Sequence, residues 1–150
     1  MKKIKYLIQF IIICIFYLIF LIIGVKLSSF LSGKLFEIIG PIFRSKKIIS
    51  NNISKAFPDY NSKELNKIKS SMWNNYGRVF AEYLYMKNFR YGKLSKNISI
   101  EGEDILLNIK NLNQKVIFIS GHFSNFELMA MQIDKIGIKI GAIYRPLNNI

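Results

Sequence analysis

The sequence predicts an α/β fold entered through a membrane-spanning helix. Three observations carry that prediction. The 20 residues from Tyr6 to Val25 pass without a charge. From Leu65 to Tyr83 apolar residues recur at a helical period. Beyond residue 97, short apolar runs alternate with a helical pattern, the order of strand, crossover helix and strand in a parallel sheet. The chain closes at Asn148-Asn149-Ile150 without a final helix or polar tail, so the sheet is expected to be a truncated piece of a longer domain. The expected organisation is an anchor over 1–26, amphipathic interfacial helices over 27–60, and the first part of an α/β domain over 61–150.

The anchor comes first. A helix of about 20 residues is roughly 30 Å long, the thickness of a bilayer's hydrocarbon core. Lys2, Lys3 and Lys5 precede it, which also fits a signal peptide. The apolar run exceeds the usual signal-peptide length of about 7–15 residues, and no small-x-small cleavage site follows. An uncleaved anchor is therefore expected. Lys26, Lys34, Arg44, Lys46 and Lys47 follow it, which favours a cytoplasmic carboxyl side. Cys14, the single cysteine, lies inside the run, so no intrachain disulfide can form.

Composition supports membrane contact: 51% of residues are hydrophobic and mean hydropathy is +0.21. The net charge of +13 is uneven. Residues 1–50 carry eight basic and one acidic side chain, 51–100 nine and three, and 101–150 five and five. The excess precedes the last third of the chain and suits anionic lipid. It does not suit nucleic acid, because the basic residues flank a membrane span and no nucleic-acid motif is present.

From Leu27 to Phe43 apolar residues at three- and four-residue steps predict an amphipathic helix, ended or kinked before Pro41. Whether it lies in the membrane interface or packs on the domain stays open. A short helix over about 47–56 should stop before Pro58. Asn61 and Glu64 have the spacing of a capping box for the long helix that follows, and Arg78 and Glu82 can pair along it. Residues 90–97 read as a loop. Ile98–Ile100, Val116–Ser120 and Ile138–Tyr144 read as strands, with helices over about 104–110 and 125–135 between them.

The only histidine, His122, falls between the Val116–Ser120 run and the helix after it, with Glu127 five residues on. At a strand-to-helix turn, the carboxyl edge of a sheet, open α/β folds bind ligands. A carboxylate on one ring nitrogen would leave the other as general base. No Gly-x-Ser-x-Gly motif supplies a nucleophile. The pair therefore suits activation of a substrate hydroxyl, with helix-start N–H groups or Arg145 available to an anion. Two plainer readings remain open from the residues alone: His122 as a turn histidine, and Ser124 to Glu127 as a capping box. One His and one Glu are too few ligands for a metal site, and no cofactor is implied.

Further motifs make the sequence recognisable. Gly121-His122-Phe123-Ser124-Asn125-Phe126-Glu127, followed by Tyr144-Arg145-Pro146, resembles the bacterial lipid A biosynthesis acyltransferase family, the late lauroyl/myristoyl enzymes. That family carries a His-x4-Asp/Glu motif, commonly His-Phe-Gly-Asn-Trp-Glu, and a downstream Tyr-Arg-Pro. Asn52 to Asp59 is similar to its Asn-Leu-x-x-x-Phe-Pro-Glu stretch, and Tyr76 to Glu82 to its following helix. The resemblance covers nearly the whole chain. It implies an inner-membrane enzyme, with its site on the cytoplasmic side, that moves a fatty acyl group from acyl carrier protein to a hydroxyl of a Kdo-modified lipid A precursor. His122 would be the base, Glu127 would orient it, and Asn125 and Arg145 would contact substrate. Ser124 and Phe126 depart from the common glycine and tryptophan. Family members are longer, so residues 1–150 alone are expected to be inactive. Another glycolipid or aminolipid as acceptor, or a non-catalytic membrane-anchored binding protein, are the alternatives.

Overall fold

The computed structural model describes residues 2–143. They form α1 (Lys2–Phe43), α2 (Lys46–Ala56), α3 (Ser62–Glu82), a 3-10 turn (Tyr83–Tyr85), α4 (Met86–Tyr91), a second 3-10 turn (Lys93–Asn97), α5 (Glu103–Asn111) and α6 (Glu127–Ile136). The chain divides into two units, one ending at Met86 and one beginning at Lys87.

The α/β expectation is overturned: no strand occurs among the described residues. Residues 98–100, 115–123 and 138–143 carry no ladder hydrogen bonds. The strand–helix–strand unit is therefore not formed, and the predicted strand end at Tyr144 lies outside the described residues. The reason is physical. A helix satisfies its own backbone, whereas a strand's N–H and C=O groups need a second strand. Without one the apolar run stays in solvent, with Ile117 90% and Ile119 93% exposed. The predicted loop over 90–97 is also corrected, since α4 and the second 3-10 turn occupy most of it.

In the N-terminal unit α1 is long and apolar enough, by length and composition, to cross a membrane. It breaks at Gly24, where φ is +79° and ψ is 164°. That conformation suits a residue without Cβ. The Ser28 hydroxyl donates to the carbonyls of Gly24 (2.8 Å) and Val25 (3.1 Å), fastening the start of the second half. Pro41 does not end the helix, which continues to Phe43. It stands in the last turn, where only one intrahelical bond is lost.

The second half of α1 runs antiparallel to α3. Gly40 meets Trp73, Gly33 meets Asn74, Ser32 meets Gly77, and Ser29 donates to the Glu82 carboxylate at 3.0 Å. Small residues permit this approach, as in membrane helix pairs. Ser28 and Ser32 are 0% and 1% exposed. Around Phe80 an aromatic cluster gathers Tyr17, Phe20 and Phe36, with ring centroids 5.3, 6.4 and 5.5 Å away. Both halves of α1 thus close on one end of α3. The α3 start is the predicted one: Asn61 accepts from the N–H groups of Lys63 and Glu64, and Glu64 accepts from the Asn61 N–H. Arg78 donates to Asn74 at 2.7 Å.

The Tyr85 hydroxyl donates to the Phe20 carbonyl in the last turn before the Gly24 break. Tyr85→Phe should therefore strand a buried acceptor and cost about 1–3 kcal/mol. Chemical unfolding of detergent-solubilised protein measures it, and an unchanged midpoint would show that the bond contributes nothing.

Candidate active site

The second unit sets the turn through α6. Gln132 and Ile133, the latter 4% exposed, are the buried residues of that helix. Arg90 of α4 donates to Asp134 of α6. This hydrogen bond is the main cause that raises the Arg90 pKa above its ordinary value. Glu127 is the first residue of α6, where the helix dipole favours a carboxylate.

Ahead of α6 the backbone turns twice. The Phe123 N–H donates to the Gly121 carbonyl at 2.9 Å, making His122 the middle of a three-residue γ-turn. Ser124 then adopts φ +49°, a left-handed conformation uncommon for a residue with a side chain. The Leu128 and Met129 N–H groups next donate to the carbonyls of Asn125 and Phe126, each at 3.1 Å, and the helix is under way.

His122 is exposed and its ring stands edge-on against Phe126, with centroids 4.2 Å apart and planes at 77°. Glu127 is half-buried, and Asn125 is 8% exposed. The structure thus places His122 in the γ-turn, Asn125 after the left-handed Ser124, and Glu127 at the first position of α6. It does not join His122 to Glu127 by a hydrogen bond. The neighbour that sequence reasoning missed is Phe126, whose signal was its four-residue spacing from His122. Arg145 lies outside the described residues.

The capping-box reading of Ser124 to Glu127 does not match this geometry. Phe126 stands at the cap position without a side-chain bond, and Glu127 opens the helix rather than occupying its third position. The Glu127 carboxylate is thus not engaged in capping.

The left-handed Ser124 also explains why glycine suits this point of the motif. A non-glycine residue there costs of order 1 kcal/mol. Ser124→Gly should raise the unfolding midpoint by the equivalent of about 0.5–1 kcal/mol, and Ser124→Val should lower it. Thermal melts of the two variants read the difference, and a lower midpoint for the glycine variant would refute the strain.

A family model described as bacterial lipid A biosynthesis acyltransferase matches residues 1–150. No curated protein and no solved structure matches the chain.

Proposed function

Since the chain belongs to the bacterial lipid A biosynthesis acyltransferase family, we propose that it transfers a fatty acyl group from an acyl carrier protein thioester to a hydroxyl of a Kdo-modified lipid A precursor. His122 is the general base and Glu127 its positioning residue. The observation that carries the reading is the turn itself: an exposed imidazole, then an uncapped carboxylate at the first position of α6.

The step follows from ordinary acyl-transfer chemistry. The acceptor hydroxyl oxygen attacks the thioester carbonyl while an imidazole nitrogen of His122 takes the hydroxyl proton. The tetrahedral intermediate carries a negative oxygen, which the amino end of α6 suits. Collapse breaks the carbon–sulfur bond, and the thiolate takes the proton back from His122. Ester and thiol are the products, so atoms and charge balance. Glu127 acts by stabilising the imidazolium, and its hydrogen bond to His122 is assigned to the substrate complex, where catalytic contacts often tighten. Asn125 and Arg145 are proposed to contact the substrate.

The apolar α1 supports an anchor in the inner membrane, with the basic residues after it on the cytoplasmic side. The same positive excess favours an acidic carrier protein and an anionic acceptor. The test is direct. Protein expressed from the complete open reading frame, including any sequence past Ile150, is purified in neutral detergent and given acyl carrier protein thioester and the Kdo-bearing precursor. The lipid is weighed by mass spectrometry, with residues 1–150 alone as the arm expected to add nothing. Gain of one acyl group is expected. Acylation of a different glycolipid or an aminolipid but not of the precursor would move the acceptor assignment, and no acylation of any lipid would remove the enzymatic one.

A further inference from the structure

The second half of α1 has its polarity inverted. At about 100° per residue, Ser28, Ser29, Ser32, Gly33 and Gly40 fall on one side of the helix and Leu27, Leu31, Ile38 and Ile42 on the other, within an arc of about 60°. The first group is buried. The second is exposed at 47, 46, 75 and 80%. A helix that turns its serines and glycines inward, with Phe36 packed on Phe80 among them, and exposes a stripe of large apolar residues suits a lipid surrounding. The apolar run before Gly24 precedes this segment in sequence, and Arg44, Lys46 and Lys47 follow it directly. Apolar area followed by cations is the pattern of an anionic bilayer interface.

A cleft of about 320 Å³ opens next to this face, between the end of α1, α2 and α3. That is the lower end of the size range of ligand pockets, about 300–1,000 Å³. Pro41, Ile49 and Trp73 supply its apolar lining, and Lys46 and Lys69 its cations. Among the described residues the Lys46 ammonium makes no hydrogen bond, and Lys69 makes one, to Asn66 at 3.2 Å. One carboxylate, Glu37, also lines the cleft. Its charge is matched by Lys34, which donates to both its oxygens at 3.1 Å, and Asn74 adds a bond at 2.6 Å. The cleft therefore keeps two uncompensated positive charges beside a lipid-type surface.

We propose that this cleft binds the phosphate of an anionic bilayer phospholipid between Lys46 and Lys69, with the lipid's chains running along Ile38 and Ile42. The site belongs to the N-terminal unit. It rests on the membrane reading of α1 and not on acyl transfer, so the two can fail separately.

Trp73 is the only tryptophan in the protein, and it lines the cleft, so its fluorescence reports occupancy. Full-length protein in neutral micelles is titrated with phosphatidylglycerol or phosphatidylcholine, each brominated high on its acyl chains. The anionic lipid should quench Trp73 at roughly tenfold lower mole fraction, as two lysines at a membrane surface warrant. Lys46→Gln with Lys69→Gln should remove the preference, while Lys63→Gln with Lys67→Gln, on α3 outside the cleft, should keep it. Should the first pair not fold, Lys46→Gln alone should halve the preference or more. Equal quenching by the two lipids overturns the proposal. So does a preference that survives the cleft variants, or one abolished by millimolar inorganic phosphate, which would mark a free-anion site.

Discussion

His122→Ala is expected to lower acyl transfer by about 10²–10⁴-fold, the contribution of a well-placed general base. The loss should appear with little change in stability. His122 is exposed, and among the described residues its one ring contact is the edge-on approach to Phe126. Truncating an exposed side chain usually shifts stability by no more than about 0.5 kcal/mol. A fall in activity at constant unfolding midpoint therefore separates chemistry from folding. The partner variant is Glu127→Gln. It keeps the shape at the start of α6 and removes the charge that would steady an imidazolium. Its loss should be smaller, about 10–10²-fold, and its signature is a shifted pH–rate profile. A merely structural Glu127 would leave the profile in place. Retention of acyl transfer by His122→Ala would end the assignment of the base.

Gly77→Ala is expected to destabilise the N-terminal unit by about 1–3 kcal/mol, the usual cost of overpacking a tight contact. Two effects oppose each other, and their sizes decide the sign. In a free helix, replacing glycine by alanine gains about 0.5–1 kcal/mol. Here the added methyl group would lie 2.2 Å from the Ser32 carbonyl oxygen and 2.8 Å from the Phe36 Cβ. The oxygen belongs to the α1 backbone and cannot rotate aside, so the two helices must part. Parting them also disturbs buried Ser28 and Ser32 and the Phe36–Phe80 contact. Gly33→Ala is the comparison, because its nearest neighbour is the Asn74 side chain at 2.9 Å, which yields by lengthening its bonds to Glu37 and Arg78 without parting two backbones. Thermal melts followed by circular dichroism should show a fall of several degrees for the first variant and a smaller one for the second. Equal melting of Gly77→Ala and the parent protein would mean that the α1–α3 approach is looser than described.

These expectations mark what was legible in the residues. The α3 start could be read because Asn61 and Glu64 act within one turn of helix. The apolar run of α1 could be read because length and absence of charge are properties of a segment alone. The positions of His122 and Glu127 around a turn before a helix were legible for the same reason. The ring of Phe126 against His122 was not, because it depends on the particular pair of turns at His122 and Ser124. The inward serine and glycine face of α1 was also hidden. Hydrophobic periodicity assigns the apolar side to the interior, and only the place of α3 shows that here the small side faces in.

The sequence by itself determined the helices α2, α3, α5 and α6, the Asn61–Glu64 cap of α3, the membrane-crossing length of α1 and the family of the chain. Each depends on neighbours a few residues apart or on a pattern carried along the chain. The tertiary structure decided that the apolar runs around 98–100, 115–123 and 138–143 form no sheet, that α1 breaks at Gly24 and not at Pro41, and that α1 and α3 meet through Gly77 and Ser32. Those outcomes depend on partners far away in sequence. A strand exists only where another backbone is present to bond it, and a close helix approach only where two small surfaces coincide.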